Sequence, residues 1–328
     1  MVFIPEKIIR SFVYVDCGAR GEENHPFLSA YPGAQYIGFE ADAEESSRVQ
    51  AKVGGNRKIF PVAVGDTNTS LPFYLTQNPA CSSFLEPDPS FFNQFMGTTG
   101  DIDIRSVVEL PVVPLDDYLP KAEIHSIDFI ELDTQGNELD ILNGAGTFLK
   151  NSVLGLRVEV EFSPIYKKQP LFSDVDAFVR SQGFMLFDLS RHRYRRAAAP
   201  LEITTKGQVL YGHAFYLKDY RRFTGTESWL HKVKLVMIAD FFGFRDYAYE
   251  IVKDFVMSQP KHPEIDLFSK ILADYENLDV KRTRMTSIIQ FADRLRMRKL
   301  LERLVRFCSK IAHEYRFETS PTRPFWTD

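Results

Sequence analysis

Cysteine is scarce in this chain, and its spacing argues against two kinds of site. The 328 residues include only three cysteines, Cys17, Cys81 and Cys308, which lie far apart. Structural zinc sites need closely spaced cysteine or histidine pairs, and disulfide frameworks need an even and denser set. We therefore expect reduced thiols and a cytoplasmic location.

Long apolar runs and an excess of charge of one sign are also lacking. No run approaches transmembrane length, and the segment MVFIPEKIIRSFVYVD has no apolar core followed by a small-residue cleavage site. We therefore expect neither a membrane span nor a signal peptide. The formal net charge of −4 does not predict nucleic-acid binding. The length allows one large domain or two modest ones.

Two short segments near the start are the most informative part of the chain. SFVYVDCGARG (11–21) has the pattern of a buried strand followed by a glycine turn, and YIGFEAD (36–42) that of a second strand ending in Glu40. Together they predict the start of a nucleotide-binding α/β sheet. Asp16 stands where a dinucleotide site would have its first glycine, and a carboxylate there would repel a pyrophosphate and suit an ammonium group. An ordinary strand–turn–helix is the alternative.

The first two thirds of the chain alternate β-rich runs with helical stretches, which predicts βαβ units in an open, mostly parallel sheet. The predicted strands are 12–16, 35–40, 58–64, 127–132, 154–161, 183–189 and 212–218. The predicted helices are 23–30, 42–52, 136–149 and 173–181, with Asp42 capping the second and Asp174 or Ser173 capping the last.

Three stretches depart from this alternation. Residues 66–113 predict a hairpin strand, a long loop rich in Pro and Phe, and another strand, and residues 190–211 carry the basic tract Arg191–Arg196. Beyond about residue 223 the strand signals stop, and 288–311 predict an amphipathic helix with one basic face. We therefore predict a domain boundary near 220–226, which separates 1–222 from a helical region, 223–328.

The segment IDFIELDTQGNELDILNGAG (127–146) resembles the signature of FkbM-family methyltransferases, in which a strand ends in Lys-x-Asp-x-Glu-Gly-x-Glu. Other pieces follow in the family's order: VDCGARGE (15–22), IGFEAD (37–42), PVAVGD (61–66), SSFLEP (82–87), VVPLDDYL (112–119) and LRVEVE (156–161). The resemblance covers roughly residues 10–220. Three positions differ from the family pattern, with Gln135 in place of Glu, Glu131 in place of Lys and Arg20 in place of Asn.

This resemblance implies a class I S-adenosylmethionine-dependent methyltransferase with a Rossmann-like, mostly parallel, seven-stranded sheet, acting on a hydroxyl of a sugar, glycan or natural product. Ligands in open α/β sheets bind at the carboxyl ends of the strands. The cofactor-binding residues implied on this basis are Asp16, Gly18, Gly21, Glu40, Asp66, Ser82 and Asp133. In this assignment the two glycines let the backbone pass under the amino-acid part of the cofactor, and Glu40 holds the ribose hydroxyls.

The candidate catalytic residues are Asp133, Glu159 and His192. Asp133 would face the methionine ammonium, orient the acceptor hydroxyl, or accept the proton of that hydroxyl. His192 is the alternative base. Glu159 would line the acceptor side of the site. We expect no metal ion, with a divalent ion on Asp133 and Glu159 as the alternative. Tyr166–Lys168 and the basic tract predict an anionic acceptor, or else a solvated basic loop.

Other functions stay open at this point. A short-chain NAD-dependent oxidoreductase would need Tyr-x-x-x-Lys, and the one match, Tyr249 with Lys253, lies beyond the strand region. A binding or scaffold protein with a vestigial cofactor site is a further alternative. We expect the final basic helix to pack against a neighbour within a homodimer. Peripheral contact with an anionic membrane is the alternative.

Overall fold

The computed structural model describes residues 2–20, 25–225 and 228–277. The chain divides into two compact units, Ile4–Ala248 and Met1–Phe3 with Tyr249–Asp328. The predicted boundary at 222–223 lies inside the first unit and stays a prediction. The amphipathic helix predicted over 288–311 lies outside the described residues.

The elements of the described residues follow the predicted alternation. The strands are β1 (Val13–Cys17), β2 (Gln35–Phe39), β3 (Arg57–Phe60), β4 (Ala63–Val64), β5 (Thr69–Thr76), β6 (Ile104–Val113), β7 (Phe129–Leu132), β8 (Gly155–Glu161), β9 (Phe184–Leu189), β10 (His192–Tyr194) and β11 (Gln208–Lys218). The helices are α1 (Glu6–Arg10), α2 (Pro26–Ala30), α3 (Ala43–Lys52), α4 (Pro89–Phe92), α5 (Leu115–Lys121), α6 (Glu138–Asn143), α7 (Gly146–Asn151), α8 (Phe172–Ser181), α9 (Ser228–Phe241) and α10 (Arg245–Ser258).

The main sheet has the strand order β10-β11-β8-β7-β1-β2-β3, and β9 also pairs with β11. The run from β3 to β8 is parallel, and β11 closes it as an antiparallel strand. This is the doubly wound arrangement of class I methyltransferases, so the predicted fold class is confirmed. The carboxyl ends of β1, β2, β7 and β8 therefore meet at one edge.

The described sheet has eight strands where seven were predicted, and the predicted strand 58–64 is two strands. The extra strand is β10, which pairs with the start of β11. Pro61 has no N–H to donate to a ladder and separates β3 from β4. The short β4 pairs instead with β6 in a second sheet, β4-β6-β5.

The second sheet confirms the strands predicted within 66–113. β5 and β6 pair antiparallel, and the long loop between them, residues 77–103, contains α4. Inside this loop Ser83 is fully buried and exchanges backbone hydrogen bonds with Tyr74, so the loop returns to β5. The loop is an ordered part of the fold.

The helix predicted over 136–149 is interrupted after Asn143, so α6 and α7 are separate. A Cβ placed at Gly144 would lie 1.9 Å from the carbonyl oxygen of Gly65, so only glycine permits this close approach. The carboxylate of Asp116 then accepts the N–H groups of Thr147 and Phe148 at 2.7 and 3.2 Å and begins α7.

Capping residues were predicted for α3 and α8, and the structure confirms the one at α3 and corrects one of those at α8. Asp42 caps α3 as predicted, accepting from the N–H groups of Glu44 and Glu45. At α8 the structure places Ser173 inside the helix, and Asp174 accepts from the N–H of Leu171 at 2.8 Å. The prediction of Ser173 as a cap is wrong because the helix begins one residue earlier, at Phe172.

The two faces of the central strands differ in chemistry. One face carries the apolar core, to which the strands contribute Val13, Val15, Cys17, Ile37, Phe39, Ile130, Leu132, Val158 and Val160. The alternate positions carry Tyr14, Asp16, Tyr36, Glu131, Arg157 and Glu159. Glu131, at a position where the family has Lys, accepts from Tyr14 and pairs with Arg157. Those contacts hold the pKa of Glu131 below its usual range, although burial alone would raise it.

Helix α9 belongs to the same compact unit as the sheet. Lys234 Nζ donates to both carboxylate oxygens of Asp128, at 3.0 and 2.9 Å, and to the carbonyl oxygen of Ser11 at 2.7 Å. Beyond the end of the helix, Phe242 stacks on Phe129 with ring centroids 5.2 Å apart. A buried ion pair therefore attaches this helix to the amino-terminal edge of the sheet.

The other unit is helical where it is described. The rings of Phe255 and Phe268 stack with centroids 3.7 Å apart, and the N–H of Phe3 donates to Asp274 at 3.0 Å. Tyr249 and Lys253, the match to the oxidoreductase motif, lie in α10 and outside the sheet. Among the helices of the described residues, none combines the length and the apolar character needed to cross a bilayer.

Candidate functional site

A cavity of about 640 Å³ opens at the carboxyl ends of the parallel strands. Its floor is formed by the ends of β1, β2, β7 and β8, and its walls by the β5–β6 loop and by β10 and β11. The sequence-predicted residues that line it are Gly18, Glu40, Ser82, Asp133, Glu159 and His192. The fold therefore brings six predicted residues, distant in sequence, to one pocket whose volume is typical of small-molecule sites.

Gly18 is required by the close packing of two strand ends. Its φ is +98°, and a Cβ would lie 2.1 Å from the carbonyl oxygen of Asp133. The N–H of Gly18 donates to Phe39 at 3.0 Å, and the N–H of Asp133 donates to Cys17 at 3.0 Å. The turn after β1 thus fits directly against the turn after β7. Gly21, the other predicted glycine, lies outside the described residues.

Glu40 is a buried carboxylate at the end of β2, with 8% of its surface exposed. Its Oε1 accepts from the N–H of Asp42 at 2.9 Å, and its Oε2 lies 3.7 Å from Nε of Arg20. Burial raises the pKa of Glu40 above its ordinary value, against the opposing effects of the Asp42 N–H and Arg20. Arg20, found where the family has Asn, also pairs with Asp42 at 3.1 Å and so holds both acids in place.

Two predicted cofactor ligands do not reach the cavity wall. Asp16 is buried and accepts from the hydroxyl of Tyr36 at 2.6 Å, so its carboxylate is engaged within the sheet. Asp66 is exposed in the turn after β4 and accepts from the hydroxyl of Thr67 at 3.1 Å. Neither lines the cavity, and their roles in cofactor binding stay predictions.

Asp133 and Glu159 lie side by side at the floor. Gln135 Nε2 donates to Asp133 Oδ1 at 2.9 Å and to Glu159 Oε2 at 2.7 Å. Gln135 has φ +60°, a strained value for a residue with a side chain, and the hydroxyl of Ser83 donates to its carbonyl oxygen at 2.7 Å. The glutamine that departs from the family pattern is therefore the bridge between the two carboxylates, where a glutamate would add a third negative charge.

The pKa values of Asp133 and Glu159 are shifted in opposite directions. Burial raises the pKa of Glu159 well above its ordinary value, and the neighbouring charge of Asp133 raises it further. Burial also opposes ionisation of Asp133, but the nearby ring of His213 lowers its pKa to about 2. Asp133, whose side chain is 43% exposed, therefore presents the charged carboxylate to the cavity.

His213 also lines the cavity and was not among the predicted site residues. It lies directly opposite Glu159 in the antiparallel pairing of β8 with β11, and its Nε2 is 3.7 Å from Asp133 Oδ2. The three side chains of Asp133, Glu159 and His213 each place one ligand atom within 4.8 Å of the others. The sequence predicted the strand that carries His213. The register that places the imidazole opposite Glu159 is set only by the antiparallel pairing of β11 with β8.

The turn after Asp133 is held from inside the protein. Glu138 is buried, and its carboxylate accepts from the N–H groups of Thr134 and Gly136 at 2.7 and 2.9 Å. Burial raises the pKa of this carboxyl to about 7. Glu138 therefore shapes the turn.

His192 and Ser82 lie on the cavity walls. The His192 ring stacks on Tyr211 with centroids 4.6 Å apart, and lies 6.0 Å from the ring of His213. Ser82 Oγ accepts from the N–H of Thr76 at 3.2 Å, which fixes the loop against β5. Both predicted residues thus face the cavity while contacting its walls.

The arginines of the basic tract do not line the cavity, whereas His192 and Tyr194 of the same tract do. Arg195 donates to the carbonyl oxygen of Ile203 at 2.7 Å, and Arg196 lies over the ring of Phe95 at 4.5 Å. Lys167 pairs with Glu86 at 2.6 Å on the surface. Among the described residues that line the cavity, the only lysine or arginine is Arg20. The arrangement therefore lends no support to an anionic acceptor held by this tract.

Comparison with known proteins gives a consistent family. The model of the methyltransferase FkbM domain matches residues 16–186. The 2-O-methyltransferase NoeI of Sinorhizobium fredii is 26% identical over 141 residues, which is 40% of this chain and 56% of that protein. The chain thus spans about half the length of the curated relative that it matches.

Solved structures with similar folds include the methyltransferase FkbM of Methylobacillus flagellatus, at 15% identity and a TM-score of 0.39 over 66% of this chain and 48% of that one. Another is the magnesium protoporphyrin IX methyltransferase ChlM of Synechocystis, solved with bound S-adenosylmethionine, at 10% identity and a TM-score of 0.33 over 65% and 79% of the two chains.

The family match covers more than half of the chain and spans β1 through the first part of β9. It includes Gly18, Glu40, Asp133 and Glu159, which form the floor of the cavity. The chain belongs to the methyltransferase FkbM domain family.

Proposed function

We propose that this chain transfers a methyl group from S-adenosylmethionine to a hydroxyl group of a sugar, glycan or natural-product acceptor. The observation that carries the proposal is the cavity at the strand ends, where Gly18 and Glu40 adjoin Asp133 and Glu159. Family membership supports methyl transfer with this cofactor, and the similarity to a 2-O-methyltransferase supports oxygen as the acceptor atom.

The residues present fit the cofactor. Gly18 lines the cavity at the turn after β1, where the amino-acid part would lie, and the lack of a Cβ lets this turn pack against the backbone of Asp133. Glu40 directs a buried carboxylate into the cavity, the group that accepts hydrogen bonds from two ribose hydroxyls. When bound, S-adenosylmethionine supplies an electrophilic methyl group on a positively charged sulfur, and the acids of the floor suit that charge.

The protein's own residues have two tasks in this reaction. The first is alignment of the acceptor oxygen with the methyl carbon, because a well-oriented reactant lowers the barrier without further chemistry. The ionised carboxylate of Asp133 accepts a hydrogen bond from the acceptor hydroxyl and so orients it. The second task is removal of the hydroxyl proton, which we assign to His192 on the adjacent wall, since an imidazole accepts protons near neutral pH.

The walls of the cavity suit an uncharged, partly apolar acceptor. They carry the rings of Phe73, Phe84, Phe92, Tyr194 and Tyr211. Flat aromatic faces pack against the C–H groups of a sugar ring or a natural product, while the hydroxyls of Tyr194 and Tyr211 offer polar contacts.

The experiment that tests this function has two stages. Calorimetric titration of the full chain with S-adenosylmethionine should show binding of one molecule; no heat of binding would instead favour the vestigial site of a binding protein. Incubation with radiolabelled cofactor and a panel of oligosaccharides and hydroxylated natural products should then label at least one acceptor, with the methyl group on oxygen by NMR. Methylation only at nitrogen or carbon would overturn the assignment of a hydroxyl acceptor.

We expect Glu40→Gln to weaken S-adenosylmethionine binding about 10- to 100-fold. Hydrogen bonds to a charged group contribute about 1.5–3 kcal/mol, and the amide can accept but carries no charge. Titration calorimetry measures the change. Glu44→Gln, an exposed change on α3, is the matched control and should alter the dissociation constant less than about twofold. Equal affinities of the two variants would contradict the role of Glu40.

Cofactor affinity should also fall as the pH is lowered, beginning at a higher pH than for an ordinary glutamate. Burial raises the pKa of Glu40, and the ribose hydroxyls prefer its ionised form. Affinity is therefore full above the raised pKa and is lost as the pH falls through it. Calorimetry from pH 8 to pH 5, at about one-unit steps, should show this loss in the native chain and a flatter profile in Glu40→Gln. Parallel profiles would show that another group is responsible.

A further inference from the structure

We propose that Asp133, Glu159 and His213 bind a divalent metal ion at the floor of the cavity. The inference rests on the proposed function, because the ion would act on the acceptor hydroxyl of that reaction. The three ligands come from the end of β7, from β8 and from β11, which converge at the edge of the sheet.

The spacing of the three ligand atoms suits an ion. All three lie within 4.8 Å of one another, and the closest approach of His213 Nε2 to Asp133 Oδ2 is 3.7 Å. Metal–ligand bonds to oxygen and nitrogen are about 2.0–2.2 Å, so two ligand atoms on one ion stand about 3 Å apart when they are adjacent and about 4.2 Å apart when they are opposite. Closing the set around an ion therefore needs side-chain shifts of up to about 1 Å, with Glu159 held opposite His213 by the strand register.

The ligand types favour a metal over an organic cation. Two carboxylates would serve either kind of cation, and the lone pair of a neutral imidazole nitrogen adds the side-chain ligand that proteins use most often for metals. Two oxygen ligands and one nitrogen ligand suit Mn²⁺ and similar divalent ions. Three protein ligands also leave coordination positions open, as in catalytic metal sites.

The acidic residues at the floor of the cavity also favour a metal ion. Glu161 is buried beside Glu159, so the floor carries three acids. Arg157, on the same strand as Glu159 and Glu161, pairs with Glu131. Arg20 pairs with Glu40 and Asp42. Buried carboxyl groups need either protonation or a compensating charge, and a divalent ion would supply that charge.

Gln135 positions two of the ligands. Its Nε2 donates to one oxygen of Asp133 and one of Glu159, at 2.9 and 2.7 Å, which leaves the second oxygen of each carboxylate for the ion. Its own Oε1 lies 3.3 Å from the hydroxyl of Tyr166, which also donates to the carbonyl oxygen of Cys81 at 2.8 Å. Hydrogen bonds of this kind around a metal site orient the ligands and typically affect metal affinity 10- to 100-fold.

The ion would act as a Lewis acid on the acceptor. An oxygen close to a divalent cation loses its proton more readily, and His192 takes that proton. The freed electron pair of the oxygen forms the bond to the methyl carbon while the carbon–sulfur bond breaks. Sulfur keeps that electron pair, so the products are the methyl ether and neutral S-adenosylhomocysteine.

The test is titration of the metal-stripped full chain with Mn²⁺, followed by calorimetry and by loss of the free-Mn²⁺ EPR signal. We expect one ion per chain, and a loss of affinity of more than about 100-fold in Asp133→Asn, Glu159→Gln and His213→Asn, which exceeds the effect of changing residues that only orient the ligands. Gln135→Ala should lose about 10- to 100-fold. Asp101→Asn, which removes an acid elsewhere on the cavity wall, is the matched control and should bind as the native chain does.

Two results would overturn the site: no stoichiometric Mn²⁺ binding by the native chain, or equal loss in Asp101→Asn and in the three ligand variants. Thermal melting of each variant, and its titration with S-adenosylmethionine, separate loss of a ligand from loss of the fold. Cofactor binding without Mn²⁺ binding would reject the metal site alone. Mn²⁺ binding without cofactor binding would reject the proposed function while leaving the site.

Discussion

Replacing Lys234 by alanine should lower the free energy of unfolding by about 3–5 kcal/mol, because it leaves a buried carboxylate without its cation. Lys234 and Asp128 have side chains only 6% and 1% exposed. Asp128 also accepts from the N–H of Val13 at 2.8 Å, so it cannot turn to solvent without releasing the start of β1. Burial already raises the pKa of Asp128 above its ordinary value, with Lys234 opposing that rise.

Denaturant unfolding of the full chain measures the effect. Lys150→Ala, an exposed change in α7, is the matched control and should alter the free energy of unfolding by less than about 0.5 kcal/mol. The double variant Asp128→Asn with Lys234→Met should recover part of the loss, since a neutral pair avoids the isolated charge. If Lys234→Ala is no less stable than Lys150→Ala, the ion pair does not attach α9 to the sheet.

Replacing Gly18 by alanine should damage both the fold and the cofactor site. The added Cβ would lie 2.1 Å from the carbonyl oxygen of Asp133, and φ is +98°. Overpacking and a disfavoured backbone together cost about 2–5 kcal/mol. Because the turn after β7 must move to relieve the contact, Asp133 moves with it. We expect affinity for S-adenosylmethionine to fall at least about tenfold, which corresponds to 1.4 kcal/mol of binding free energy.

Thermal melting and titration calorimetry give the two readouts. Gly54→Ala is the control, because a Cβ at Gly54 has no heavy atom within 4 Å. It should melt and bind the cofactor as the native chain does. A Gly18→Ala variant that binds the cofactor with native affinity would show that the close approach of the two turns is not needed for the site.

Much of the candidate site could be predicted because strand ends carry a sequence signal. A buried apolar run that ends in glycine or an acid marks the carboxyl end of a parallel strand, and these ends meet at one edge. That reasoning placed Gly18, Glu40, Asp133 and Glu159 together, and the cavity contains all four. Ser82 and His192 were placed through the loops, and they also line the cavity.

The same reasoning had limits that have a physical cause. It assigned Asp16 to the cavity because the residue lies near a strand end, but alternation along β1 turns its carboxylate toward Tyr36. It treated Gln135 as a weakness of the family pattern, whereas the amide joins two carboxylates. It left open whether the basic tract binds an anionic acceptor or forms a solvated loop, and in the structure Arg195 donates to a backbone carbonyl of its own loop. In each case the side-chain partner is distant in sequence or set by local geometry.

The amino-acid sequence by itself determined the α/β class, the family and the acids and glycine at the strand ends, because hydrophobic periodicity and turn residues are local properties of the chain. Only the tertiary structure decided that His213 stands opposite Glu159 and that Lys234 reaches Asp128, 106 residues away. These pairings depend on strand register and helix packing across long connections, and no local pattern encodes them.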